Sequence, residues 1–236
     1  MMSNGFQFKQ FFIQHDKCAM KVNTDGILLG AIAHIKNVQQ ILDLGTGSGL
    51  IAVMLAQRTN NNCKITALEL EPNAYQQAVK NAENSAWSNR ITVLQGDVML
   101  QQFEQKFDLI VSNPPYFEDS LATKTKARDL ARSVNAASHF DWLKQAKNWL
   151  AQSGRITMIL PTEAAEKLIS QSPNIGLYCI EQWSIFTKVG KEPKRSIVSF
   201  CLQSKVCEQK ELVIYDLNNR YTSEFKQLTQ DFYLNF

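Results

Sequence analysis

The sequence predicts a doubly wound α/β fold, a mostly parallel sheet with helices on both faces, closed by an antiparallel hairpin strand. Three observations carry that expectation. Short apolar runs alternate with helical stretches from residue 40 onward, a glycine-rich turn joins the first of those strands to the first helix, and the series ends in two β-rich runs joined by a turn instead of a helix.

The elements follow in order. Gln40 to Leu44 is a short apolar strand, and Ser48 to Arg58 has helical spacing through Leu50, Ile51, Met54 and Leu55. Lys64 to Leu68 is the next strand, and Pro72 opens a helix running to Ser85, proline being suited to a first helical turn. Ile91 to Leu94, Phe107 to Val111 and Arg155 to Leu160 continue the strands, with an amphipathic helix at Asp141 to Leu150 whose Trp142, Ala146 and Trp149 share a face. Tyr178 to Thr187 and Ser196 to Leu202, linked by "KVGKEPKR", form the closing hairpin. A polar stretch then leads to a short strand at Leu212 to Tyr215 and a terminal helix. Near the start, Thr24-Asp25 is a helix cap before an apolar run.

Composition narrows the function classes. A chain of 236 residues with 44% hydrophobic content buries an ordinary core, which excludes wholesale disorder. The pattern is read as a single domain, 1–236, with an N-terminal capping segment at about 1–38 and a C-terminal extension at about 204–236. The N-terminal "MMSNGFQFKQFFIQHDK" breaks its phenylalanines with Gln and Lys, so it is not a signal peptide, and no apolar run approaches the roughly 20 residues that span a bilayer. Cys18, Cys63, Cys179, Cys201 and Cys207 are odd in number and lack a CxxC pair, consistent with reduced thiols in a cytoplasmic protein. His15, His34 and His139 are dispersed, without metal-ligand spacing, so no metal is expected.

The glycine turn "DLGTGSG", Asp43 to Gly49, lets the backbone bend sharply and approach a ligand. A ligand-free turn is the alternative, but Glu69 at the end of the next strand can accept from both hydroxyls of a ribose. A dinucleotide fingerprint would read GxGxxG, whereas Gly45, Gly47 and Gly49 spell GxGxG. Asp43 suits a cationic ligand better than a pyrophosphate.

The stretch "SNPPYF" ends the fourth strand of the series with an amide, two prolines and an aromatic ring. A rigid turn accounts for Pro114 and Pro115 and leaves Asn113 and Tyr116 without a reason. The four residues Asn113 to Tyr116 resemble the catalytic motif of methyltransferases that act on planar nitrogens, and that resemblance gives them a reason: an exocyclic amine on a ring is a weak nucleophile, because its lone pair is delocalised. Two acceptors bonded to its hydrogens, the Asn113 side-chain carbonyl and the Pro114 backbone carbonyl, localise that pair. Proline adds no competing N–H and fixes φ, which preorganises the turn toward a developing positive charge. Tyr116 would stack on the extruded base.

These residues resemble a known family. A parallel sheet closed by a hairpin is similar to the class I methyltransferase architecture, which is Rossmann-like, and the GxGxG turn is similar to the S-adenosylmethionine loop. The resemblance implies that Asp43, Gly45, Thr46, Gly47, Glu69, Asp97 and Asn113 bind this cofactor, Asp97 through its adenine amine. Asn113, Pro114, Pro115 and Tyr116 resemble the catalytic motif of enzymes that methylate planar nitrogens: adenine in DNA, adenine or guanine in RNA, and a protein glutamine. The segment "KVNTDGILLGA", Lys21 to Ala31, resembles the N-terminal cofactor motif of the bacterial enzymes that methylate N6 of the adenine beside the anticodon of tRNA1(Val), and the likeness runs on through "PKRSIVSF". It implies that Thr24 and Asp25 lie near the methionine end of the cofactor. Protein N5-glutamine methylation and rRNA guanine-N2 methylation remain the alternatives.

Two basic stretches suit a tRNA partner. Lys124, Lys126, Arg128 and Arg132 follow the catalytic turn, and Lys188, Lys191, Lys194 and Arg195 occupy the closing hairpin. The expectation is that Arg128, Arg132, Lys194 and Arg195 contact RNA phosphates, solvated surface charge being the alternative. The net charge of +3 argues against tight general binding of polyanions, and the chain is expected to act as a monomer.

Overall fold

In the computed structural model, which describes residues 4–115 and 137–235, the chain opens with a two-stranded antiparallel hairpin, β1 (Gly5–Gln7) and β2 (Phe12–Gln14). Helix α1 (Thr24–Ile32) follows. Then come β3 (Gln40–Leu44), α2 (Leu50–Arg58), β4 (Lys64–Glu69), α3 (Pro72–Glu83), β5 (Ile91–Gln95) and β6 (Phe107–Ser112). The second half holds α4 (His139–Lys147), β7 (Leu150–Pro161), α5 (Thr162–Gln171), β8 (Tyr178–Lys188), β9 (Arg195–Cys201), β10 (Glu208–Tyr215) and α6 (Ser223–Thr229).

Among the described residues the main sheet has eight strands in the order β10-β8-β9-β7-β6-β3-β4-β5. The pairs from β5 to β7 are parallel, β9 is antiparallel to both β7 and β8, and β10 runs parallel to β8. This is the expected doubly wound sheet with a closing hairpin, plus an edge strand contributed by the C-terminal extension.

Alternation along the strands divides the core. Ile41, Ile65, Leu109, Val111 and Ile197 face one cluster with α1, α2 and the terminal segments, while Leu42, Leu68, Ile110, Met158 and Val198 face another with Leu143 and Ala146 of α4 and Ala165 and Leu168 of α5. Neighbouring residues on a strand point to opposite faces, so apolar pairs such as Ile41-Leu42 supply both cores at once.

The structure departs from the expected elements at several points. Helix α4 ends before Trp149, which is buried in the core, and Leu150 already belongs to β7. Helix α5 follows β7 without a break, behind Pro161, so the usual turn residues that announce a helix are missing. The hairpin β1–β2 has strands of three residues, too short for an alternation to show, yet Phe8 and Ile13 are fully buried in it.

The two termini meet. Lys9 N–H donates to the Phe232 carbonyl at 2.8 Å, Phe6 meets Tyr233 edge-on at 6.0 Å, and Tyr221 stacks on Phe225 at 4.7 Å. The C-terminal extension thus covers the N-terminal hairpin. No helix among the described residues is long and apolar enough to cross a membrane, and no group of three or more His, Cys, Asp or Glu among them could hold a metal ion.

Candidate active site

Register builds the site. Leu44 pairs with Leu68 on one side and Ser112 on the other, and Glu69 pairs with Gln95. The carboxyl ends of four parallel strands therefore lie level, and what ends or follows each of them, Gly45, Glu69, Gly96-Asp97 and Asn113, gathers along one edge. That edge is where open α/β sheets hold ligands. A cavity of about 350 Å³ opens there, lined among others by Gly45, Thr46, Gly47, Glu69, Asp97 and Asn113.

The glycine turn forms the floor. Gly45, Gly47 and Gly49 have φ of 68°, 58° and 80°, a left-handed backbone that side chains rarely tolerate. At Gly47 an added Cβ would meet nothing within 4 Å, and at Gly45 it would strike the Trp142 ring at 3.1 Å. Gly45 and Thr46 N–H both donate to the Leu68 carbonyl, at 2.9 and 3.0 Å, which hangs the turn from β4. Glu69 accepts the N–H of Gly47 at 2.8 Å and that of Glu71 at 2.9 Å, so its carboxylate is fixed by two backbone donors and retains lone pairs for a ligand.

Asp43 is fully buried beneath the turn and accepts the Thr46 hydroxyl at 2.5 Å, while its Oδ1 has no hydrogen-bond partner among the described residues. Burial pushes its carboxyl up to about 7, with the Thr46 hydroxyl and then the Ala52 backbone opposing the rise and the nearby Glu69 charge adding to it. Asp97 accepts the Met99 N–H at 2.8 Å on one oxygen, beside the cavity.

The roof is residues 18–26, of which Cys18, Ala19, Met20, Lys21, Val22, Asn23 and Gly26 line the cavity. Two amides of α3 hold its approach. Gln77 Oε1 accepts Lys17 N–H at 2.8 Å and the Cys18 thiol at 3.4 Å, while its NH2 donates to Asp16 at 2.7 Å. Asn81 accepts Gln14 N–H and donates to the carbonyls of Gln14 and Ser48, joining β2 to the glycine turn. Val22 N–H donates to His15 Nδ1 at 3.0 Å, which requires that nitrogen to be unprotonated. Burial, and then the Lys21 charge, lower the His15 pKa in keeping with that role. Burial also pushes the Cys18 thiol up to about 11, so it is no nucleophile at neutral pH.

Gly45, Thr46, Gly47, Glu69, Asp97, Asn113 and Pro115 are thus brought together around one opening, while Asp43, buried beneath the glycine turn, and Pro114, buried between Asn113 and Pro115, fall outside its lining. Thr24 and Asp25 fall outside the lining. The cap of α1 is Asn23, whose side chain accepts Gly26 N–H at 2.9 Å from an extended backbone, so the expected Thr24-Asp25 cap is displaced by one residue. Asp25 turns away to Arg195, whose Nε lies 2.9 Å from its Oδ2. These two residues, expected from the sequence near a cofactor and at RNA, pair with each other. Lys194 is exposed beside them. Tyr116, Arg128 and Arg132, with Lys124 and Lys126, lie outside the described residues.

Sequence reasoning missed Gln77 and Asn81. Their signal was present: both stand on the buried stripe of α3 with Ala74, Ala78 and Ala82, where apolar residues belong. It also missed Cys179 and Cys207, whose sulfurs lie 3.5 Å apart once β8 and β10 pair.

Comparison with known proteins agrees with this geometry. Residues 23–171 match a family model described as "Methyltransferase small domain". The chain is 65% identical over 233 residues to a tRNA1(Val) (adenine(37)-N6)-methyltransferase of Actinobacillus pleuropneumoniae serotype 7, covering 99% of this chain and 98% of that protein. It is 62% identical over 231 residues to the protein of the same name from Glaesserella parasuis, covering 98% and 97%. In fold it is similar to the crystal structure of a predicted O-methyltransferase from Agrobacterium tumefaciens, with a TM-score of 0.66 over 88% of this chain and 96% of that one at 21% identity.

Proposed function

The chain belongs to the tRNA1(Val) (adenine(37)-N6)-methyltransferase family, and from that premise we propose that it methylates N6 of adenine 37 in that tRNA. The observation that carries this reading is the opening of the Asn113-Pro114-Pro115 turn onto the same cavity as the glycine turn and its acids.

S-adenosylmethionine is the cofactor, and the residues present fit it. Gly47 leaves open space where a side chain would stand, and Glu69 and Asp97 present carboxylates to the cavity. Gly45, Thr46 and Gly47 would hold it with their backbone, Glu69 would take the ribose hydroxyls and Asp97 the adenine amine. When bound, the cofactor supplies an electrophilic methyl group on a sulfonium.

The chain's own part is to make a poor nucleophile competent. Asn113 Oδ1 and the Pro114 carbonyl accept the two hydrogens of the adenine amine, which turns its lone pair out of the ring and toward the cavity. Both acceptors sit in a turn whose prolines restrict the backbone, so the geometry precedes the substrate. The positive charge that forms on N6 lies against these carbonyls, and its proton leaves to solvent without a side-chain base. Tyr116 stacks on the base, and Lys194, Arg128 and Arg132 hold phosphates, with Arg195 joining them from its pairing with Asp25. We further read 1–236 as one methyltransferase unit acting as a monomer in the cytoplasm.

Mass spectrometry of nucleosides from tRNA1(Val), in cells with and without the chain, tests the proposal. The expected result is loss of N6-methyladenosine without it and restoration by the wild-type chain. Unchanged N6-methyladenosine, or loss of a methylated guanine or protein glutamine instead, overturns it.

A further inference from the structure

Asn113 has an amide with two unlike ends, and only one of them is useful. The carbonyl end can accept a hydrogen from the target amine; the NH2 end in the same place would oppose it. The side chain lies at the cavity rim, where solvent alone would let the two orientations exchange. One contact breaks that symmetry: Asn113 Nδ2 lies 3.7 Å from the Met20 sulfur, 93 residues away in sequence. A thioether has lone pairs and no proton, so it accepts and never donates. It can therefore face the NH2 end of the amide and not the carbonyl end.

We propose that Met20 is a positioning residue for methyl transfer, its sulfur holding the Asn113 NH2 so that Oδ1 faces the target amine. The inference rests on the reading of Asn113 given under Proposed function. Met20 itself has no group that could donate or remove a proton, so it acts only through Asn113. Its own position is determined by the roof: Lys17 N–H and the Cys18 thiol are bonded to Gln77 on one side, and Val22 N–H to His15 on the other. Met20 is 38% exposed, so changing it leaves the core intact. Its simpler role would be that of an apolar wall, since it also lines the cavity. Leucine distinguishes the two, being of similar size and lacking an acceptor.

The test is a double-mutant cycle on the full chain with tRNA1(Val), using Met20→Leu, Asn113→Ala and the pair, with calorimetry of S-adenosylmethionine and thermal melting for each. Loss of one modest hydrogen bond predicts that Met20→Leu lowers kcat about fivefold. Cofactor Kd and melting temperature stay within error, and Met20→Leu has no further effect in the Asn113→Ala background. An intact kcat in Met20→Leu overturns the proposal, as does the same fold loss in the Asn113→Ala background or a Kd shift as large as the kcat loss. Full activity of Asn113→Ala alone would instead overturn the reading of the catalytic turn.

Discussion

The floor and the roof of the cavity are made by opposite means. Every part of the floor stands at the carboxyl end of a strand: the glycine turn follows β3, Glu69 ends β4, Gly96-Asp97 follows β5 and Asn113 follows β6. Backbone register places all four, so the floor inherits the rigidity of the sheet. The roof, residues 18–26, precedes its helix for most of its length and is held by side chains: Gln77 bonds Cys18 and the neighbouring Lys17, His15 bonds Val22, and Arg195 bonds Asp25. The contrast teaches that a change in the floor should act directly on the group that residue would hold, cofactor or target amine, whereas a change in the roof's supports should act only through the placement of residues 18–26.

The largest effect expected from that contrast is on the floor. Asn113→Ala should lower turnover by about a hundredfold or more, the scale of one preorganised polar contact, with cofactor affinity nearly unchanged. Single-turnover kinetics beside calorimetry separates the two quantities. A parallel loss of affinity would mean that floor and roof are not independent.

Next comes the roof. Gln77→Met keeps the volume and strands the Lys17 N–H, so S-adenosylmethionine binding should weaken by about 1–3 kcal/mol, the cost of an unsatisfied polar group. Turnover at saturating cofactor should fall by no more than the roughly fivefold expected from loss of the Met20 contact. If melting temperature falls while affinity holds, the roof is not a binding element.

The pH dependence should have opposite signs in the two regions. Asp43 has a raised pKa, so its contribution to stability is fully present below 3.8 and is lost as pH rises through about 7. His15 has a lowered pKa, so its contribution is present above 6.5 and is lost as pH falls through the depressed value, when protonation at Nδ1 breaks the bond from Val22 N–H. Melting curves of Asp43→Asn and His15→Gln against wild type should each flatten one limb only. A mutant that flattens the other limb, or neither, reassigns that titration.

The smallest effect is expected at Arg195. Its pair with Asp25 is partly exposed, so Arg195→Ala should change cofactor affinity by about 1 kcal/mol or less, and added salt should erase the difference. If Arg195 also meets a phosphate, the same variant flattens the salt dependence of tRNA binding by about one log–log unit. A filter-binding salt titration reads this directly, and an unchanged slope leaves Arg195 with Asp25 alone.

The sequence by itself determined the floor. "DLGTGSG", Glu69, "QGD" and "SNPPY" each stand at the end of an apolar run, and a strand followed by its own turn is local information. Periodicity therefore gave the order of strands and the edge on which their loops gather, and it needed no long-range contact to do so. The sequence also marked Lys21 to Ala31 as a cofactor segment by resemblance, but only the tertiary structure decided what holds the roof. Asp25 meets Arg195 across 170 residues, and Asn113 meets Met20 across 93. Asn81 bonds to Gln14 from 67 residues away. No period in the chain encodes such pairs, because polar side chains are oriented by whatever partners the packed helices bring within about 3 Å.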